Sequence, residues 1–279
     1  MSTVYNKNSK LGWIAELNLN FSRSMEKTFL SKRNHIGPLT IQRPFYPEGE
    51  ICHVYLLHPP GGIVGGDSLT INTNSEEFSK ALITMPGATK IYRTSQNKFS
   101  EVNQNITIQK NSVLEWLPME TIIFPGACSN ISTKFFLNEN AKIAAWEIQC
   151  LGRPAIQEKF NMGEINLDFE VWRDKKPIII DKFTVDESNL DNIAGLRGYP
   201  VLGTFVLSID DEQMVNTIRD LIPDNDLYVA GVTQMDYLIV IRCLSFKTHL
   251  IHEIFKNIWV KTRHLIAGKQ ASSPRIWST

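Results

Sequence analysis

Most of the chain alternates apolar and polar residues with period two, which sends successive side chains to opposite faces of an extended strand. Trp13, Ala15, Leu17, Leu19 and Phe21 alternate with Ile14, Glu16, Asn18 and Asn20, the pattern of a strand with one face in a core. Similar runs predict strands over 39–42, 52–57, 67–73, 80–84, 105–109, 112–116, 131–137 and 142–149. Over 164–173 the alternation is long: Ile165, Leu167, Phe169 and Val171 on one face, Asn166, Asp168, Glu170 and Trp172 on the other. The charged segment 173–176 then reads as a hairpin turn into a strand over 177–182. After about residue 205 the pattern changes. Asp210, Asp211 and Glu212 open a helix with acids at its positive end, and it stops before Pro223. Strands follow over 227–233 and 237–243, the second so apolar that both its faces should be buried. From 248 to 267, Leu250, Ile251, Ile254, Phe255, Ile258, Trp259, Leu265 and Ile266 recur at helical spacing, with Gly268 placed as a stop. Many strands first and two helices late is not the alternation of a parallel Rossmann sheet. The pattern predicts a mostly β body over about 1–205 and a small C-terminal α/β portion over about 206–279 carrying two helices, in a single domain. No low-complexity linker and no clean internal repeat is visible.

One loop interrupts the strands. His58, Pro59, Pro60, Gly61, Gly62, Ile63, Val64, Gly65, Gly66 and Asp67 hold four glycines and two prolines in ten residues. Such a loop holds backbone shapes that most residues cannot adopt. It is not a phosphate cradle: it ends in Gly-Asp where a P-loop needs Gly-Lys-Ser/Thr, and a strand follows where a dinucleotide site needs a helix. Asp67, at a strand start, is placed to accept backbone N–H groups in an Asx-type turn.

Lys+Arg and Asp+Glu number 29 each in 279 residues, so the formal net charge is zero. A nucleic-acid binder would carry a basic excess, and a chain with so little charge-based solubility suits life in a complex. Cys52, Cys128, Cys150 and Cys243 are far apart and form no Cys-x-x-Cys, so they read as small buried residues, not as a zinc or redox motif. The polar N-terminus lacks the apolar stretch of a signal peptide, and no run reaches membrane-spanning length. The expectation is a cytoplasmic protein that binds neither nucleic acid nor membrane.

Catalytic constellations are absent. No Gly-x-Ser-x-Gly elbow occurs. His249 and His252 share a helical face, but without the His-Glu-x-x-His order of a zincin they read as part of a polar face. Glu115, Glu120 and Glu147 are more informative, because each lies in an apolar stretch. An isolated ionised carboxylate in a core is costly unless paired or bound to a cation. Alternation could turn each one to solvent. Together they suggest an inward polar lining, a partner surface or weak hard-cation sites. A candidate basic partner in the local sequence is Arg153.

These segments resemble the urease accessory protein family UreD, also called UreH. The glycine loop 58–67 looks like its most recognisable motif. LEWLPMETI at 114–122, followed by Phe124, looks like a second; Trp146-Glu147 with LGRPA at 151–155 and FNMG at 160–163 a third; PRIW at 274–277 a fourth; ATKIYR at 88–93 also fits. The motifs run in family order from about residue 50 to the C-terminus. Met119 departs from a frequent Gln, and Ile156-Gln157-Glu158 from a frequent Gly-Glu, although Glu158 keeps the carboxylate.

The resemblance implies a non-enzymatic maturation factor that binds apo-urease, joins UreF and the GTPase UreG, and assists nickel insertion. It implies a β-helix-like or stacked-sheet body with an internal tunnel proposed as the nickel route. No cofactor would be tightly bound, only nickel in transit, with Glu115, Glu120, Glu147 and Glu158 as candidates along the path. His58, Pro59, Pro60, Gly61, Gly62, Gly65, Gly66, Asp67 and Arg153 would be structural motif residues. Ile258, Trp259, Arg275 and Trp277 would face UreF. Two alternatives remain open: a metal-dependent hydrolase using the strand carboxylates, though without the usual His ligands, and a weak nickel-binding transport protein, though without His or Cys clusters.

Overall fold

A computed structural model describes residues 12–95 and 98–278. In chain order the strands begin β1 (Ile14–Arg23), β2 (Thr28–Ile36), β3 (Thr40–Ile41), β4 (Cys52–Leu57), β5 (Ser68–Ser75) and β6 (Lys80–Thr84). They continue with β7 (Thr89–Ile91), β8 (Ser100–Ile108), β9 (Val113–Leu117), β10 (Thr121–Ile123), β11 (Cys128–Leu137) and β12 (Lys142–Leu151). The last are β13 (Glu164–Arg173), β14 (Lys176–Asp186), β15 (Val201–Leu207), β16 (Tyr228–Met235) and β17 (Leu238–Ser245), with helices α1 (Glu212–Asp220) and α2 (Thr248–Ala267).

The strands coil. β5, β8, β11 and β13 stack in parallel in a seven-stranded sheet. β4, β6, β9 and β12 stack in parallel in a second sheet, whose ten strands include β7 and β10 as a branch. β7, β10 and the end of β12 form a short third face. Each coil visits the three faces in turn. Parallel in-register stacking aligns like side chains in columns, as in cross-β assemblies. On the outer face of the seven-stranded sheet Asn105 donates its amide to Asn72 (3.0 Å) and Asn72 to Asn18 (2.9 Å). Inward columns are mostly apolar: Leu19, Ile106, Phe135 and Val171 are all buried. Buried Thr73 interrupts that column, and another runs Leu17, Ile71, Gln104, Thr133, Phe169 with two polar residues in succession.

Antiparallel strands close the seven-stranded sheet at both ends. β2 pairs β1, and β14 pairs β13 across a turn with Asp174 and Lys175 at φ 47° and 68°. This left-handed pair gives the hairpin predicted at 173–176. The C-terminal strands do not form a separate layer. β15 pairs β12, and β17 and β16 follow, so they extend the ten-stranded sheet. α2 lies across its outer face on β12, β15 and β17, burying Ile251, Phe255, Ile258 and Trp259 against Trp146 and Phe205. The stripe of α2 is apolar at helical spacing for this reason. Gly268, at φ 71°, ends the helix with its N–H on the His264 carbonyl (3.1 Å). Asp211 caps α1, its carboxylate accepting the N–H groups of Gln213 (2.9 Å) and Met214 (3.3 Å).

All four cysteines are free and buried. Burial pushes the Cys52 and Cys150 thiols up to about 11 and Cys243 to about 12, so they remain protonated. Among the described residues no helix is long and apolar enough to cross a membrane.

Candidate functional site

The glycine loop forms the first rung of the third face. Ile63 bridges to Ile91 in parallel, donating its N–H to the Lys90 carbonyl (2.7 Å) and accepting from Tyr92 (2.8 Å). A Cβ on Gly62 would sit 2.4 Å from the Tyr92 ring, and one on Gly65 would sit 2.4 Å from the Lys98 carbonyl oxygen. Only glycine permits that approach. Asp67 is buried, and its carboxylate accepts the N–H groups of Trp13 (2.8 Å) and Val64 (2.9 Å). One side chain thus ties the loop to the chain entering β1. The donors are backbone N–H groups, as expected, but both precede Asp67 in the chain, so the expected Asx-type turn is replaced by a bridge between two segments.

Behind this loop lies an internal cavity of about 70 Å³, lined by His58, Ile63, Thr89, Gln104, Met119, Thr121, Glu147 and Gln149 among others. Gln104 donates to the Thr133 hydroxyl (2.9 Å), and that hydroxyl bonds the Glu147 carboxyl. Glu147 is enclosed by protein, yet its surface is not fully covered, because part of it faces this cavity. Burial pushes its carboxyl up to about 7, against smaller downward pulls from Thr133 and Gln149. It makes no ion pair with any described residue. The Gln149 Oε1 atom is buried and makes no hydrogen bond. Burial also lowers the His58 imidazole below its ordinary value, against the upward pull of Asp67.

The third face separates this cavity from an open groove of about 1470 Å³ on the outside. Cys150 and Ile122 line the groove, and their neighbours Gln149 and Thr121 line the cavity. This is the alternation of strand side chains. Glu120 and His252 meet on the groove wall at 2.8 Å. Burial pushes the Glu120 carboxyl up, but His252 outweighs it and holds the group below its usual range. Arg153 pairs with Glu158 and stacks over Phe124, 4.9 Å from the ring centre. Trp277 closes one side, its ring 5.3 Å from those of Trp146 and Trp259 and its Nε1 donating to Thr84 (3.1 Å).

Glu115 lies elsewhere. It faces α2 from β9, where Arg263 binds it through Nε (3.0 Å) and Nη2 (2.9 Å), and Trp259 Nε1 donates to it (2.6 Å). Arg263, wholly buried, also binds Glu48 and donates to the Gln270 carbonyl (2.7 Å), so every guanidinium N–H is used. Burial would lower its pKa, but the two carboxylates raise it above its ordinary value. Burial likewise pushes Glu48 up, yet His53 and Arg263 overcome it and hold the carboxyl at about 2.

The UreD urease accessory protein family model matches residues 14–278. The chain belongs to the UreD family. It is 42% identical to the urease accessory protein UreD of Citrobacter koseri over all of this chain and 96% of that protein. It is 41% identical to that of Klebsiella aerogenes over 97% of this chain and 98% of the other. For Aliivibrio fischeri the identity is 38% over 97% and 98%.

The UreD motifs therefore settle into different places. The glycine motif makes the wall between coil end and cavity; the second motif supplies Glu115 to the helix side and Met119 and Glu120 to the third face. The four candidate carboxylates do not converge: Glu147 faces the cavity, Glu120 and Glu158 the groove, and Glu115 the arginine. Ile258 and Trp259, expected toward a partner, have no exposed surface because they fill the space between α2 and the sheet. Trp277 is half-buried on the same aromatic cluster, and Arg275 is exposed. His249 lines the groove and His252 bonds Glu120. No group of three or more His, Cys, Asp or Glu among the described residues is placed to hold a metal. The sequence reading missed Gln104, Thr133 and Gln149. Their signal was polarity at inward positions of otherwise apolar strands. It also missed Arg263, a charge four residues after Trp259 on the apolar stripe of α2.

Proposed function

We propose that this chain is a urease maturation factor: a scaffold that binds apo-urease together with UreF and the GTPase UreG and assists nickel insertion, with nickel as cargo. The observation that supports this most is Glu147. An acidic side chain without a basic partner, facing a cavity inside an apolar coil, contributes little to stability. A divalent cation passing through an apolar interior needs oxygen atoms to replace its lost water, and they must bind weakly enough to release it. One carboxyl with amide and hydroxyl neighbours supplies hard oxygen donors without the thiolate or clustered imidazoles that would retain nickel. A cavity of about 70 Å³ has room for about two water molecules. The groove outside, with Arg153, Glu158 and Trp277 on its walls, is the surface where an accessory protein would deliver or receive the ion.

The test is Glu147→Gln, which keeps volume and hydrogen bonding. Co-purification with UreF should be unchanged, while nickel per urease active site and urease activity fall at matched expression. Wild-type nickel content in the variant would remove Glu147 from the path.

A further inference from the structure

The internal cavity and the outer groove share one lining residue, Met119. The wall around it has a weak point. From 121 onward it is a sheet, with β10 paired to β7 on one side and β12 on the other. Residues 118–120 lie between β9 and β10 and belong to no strand. At this corner the hydrogen bonds are Thr89 N–H to the Glu120 carbonyl (3.0 Å) and Trp146 Nε1 to the Pro118 carbonyl (2.7 Å). Both anchor the backbone of the corner, and neither holds the Met119 side chain. That side chain is half-buried, unbranched, and free to change rotamer at little cost. Its neighbours differ in a useful way. Glu120 faces the groove beside His252, and Thr121 faces the cavity beside Gln149. One thioether therefore separates the polar group on the groove wall from the polar group inside.

We propose that Met119 is the door between groove and cavity, a positioning residue that sets access of water and small cations to the Gln104–Thr133–Glu147 network. The proposal rests on the cavity lying on the cargo route. It adds where the route opens, and it predicts that the size of residue 119 controls entry while leaving the polar network intact.

The test uses the full chain carrying Gln104→Cys as a reporter deep in the cavity. Residue 104 falls in the tryptic segment 99–110, which holds no native cysteine. Labelling by methyl methanethiosulfonate, a small neutral thiol reagent, is followed at that peptide by mass spectrometry. Three backgrounds are compared: Met119, Met119→Ala and Met119→Phe. Labelling should accelerate about tenfold or more with Ala and slow by a similar factor with Phe, with unchanged circular dichroism and unchanged labelling of Cys52 and Cys243. Rates independent of residue 119 would overturn the proposal and place the opening elsewhere, for instance beside His58. Nickel loading of urease with Met119→Phe, in a chain with native Gln104, separates the two ideas. If labelling follows residue 119 but nickel loading does not, the door stands and the cargo route through the cavity falls. If Glu147→Gln lowers nickel loading while residue 119 affects neither readout, the route stands and the door falls.

Discussion

Glu115 and Glu147 sit on adjacent strands of one sheet, in equally apolar sequence, and meet opposite surroundings. The pleat turns Glu115 outward under α2, where Arg263 and Trp259 Nε1 satisfy it. It turns Glu147 inward, where Thr133 bonds it and a cavity, not a cation, faces it. Glu147 is somewhat less covered than Glu115, but the larger difference is the counter-charge. A buried carboxylate with an arginine holds the structure together. One without an arginine ionises only against the cost of burial, which pushes the Glu147 carboxyl up to about 7.

The contrast breaks most visibly at the arginine. Arg263→Met leaves Glu48 and Glu115 buried with no cation between them, and should destabilise the chain by about 3–5 kcal/mol. Urea unfolding at pH 7 measures it, and a loss under about 1 kcal/mol would mean the pair is not a structural lock.

The inner carboxyl should show the reverse. Folding raises Glu147 from 4.5 to about 7, so the native state binds more protons between those values. Stability from this group is greatest below pH 4.5, declines as pH rises to 7, and is flat above. Glu147→Gln should remove that slope, gaining on the order of 3 kcal/mol at pH 8 and almost nothing at pH 4. Glu48, held at about 2, titrates the other way: its contribution is complete above 4.5 and is lost as pH falls toward 2. Stability curves of the variant and wild type from pH 3 to 8 decide this, and parallel curves would mean Glu147 is not protonated by burial.

Asp67 gives a third arrangement, in which backbone N–H groups replace both arginine and cavity. Asp67→Ala leaves the Trp13 and Val64 donors unpaired and should cost about 1–3 kcal/mol. Asp67→Asn, which can still accept, should recover part of it. Equal losses in the two variants would show that charge matters there and not acceptor geometry.

The alternation of Ala15, Leu17, Leu19 and Phe21 placed β1, and the helical spacing of Ile251, Phe255, Ile258 and Trp259 placed α2 with its ends. Such signals survive because a half-buried strand or helix must put apolar groups on one side. The stack itself was not legible in the periodicity; the family resemblance alone implied it, and the structure bears it out. Coils begin at Ser68, Ser100, Cys128 and Glu164, at unequal spacing, and the columns ask only for compatible neighbours, so Leu17 can lie over Ile71, Gln104 and Thr133 without any repeated motif. β2 escaped because its exposed face and edge leave little pattern, β7 and β10 because three residues cannot show a period, and β15 because Gly203 and Thr204 interrupt its apolar run. At the candidate site, sequence suggested carboxylates in apolar strands but not which side of the sheet each would take. Parity along a strand decides that, and it depends on where the strand starts. The same limit applied to Trp259: a broad apolar stripe reads alike whether it covers a core or awaits a partner.

The antiparallel strands at the two ends of the coil answer a question of polymer growth. A stack of parallel, in-register rungs has no natural length; each rung is a template for the next, in the same chain or in another copy. β2 and β14 reverse direction, and a reversed strand cannot be followed by another coil of the same sense. Without β14, the ten residues of β13 would offer an open parallel edge to the exposed turn of a neighbouring molecule. The hairpin turn at Asp174 and Lys175 is therefore a chain terminator in the fibre chemist's sense: it makes a repetitive architecture stop at one protein.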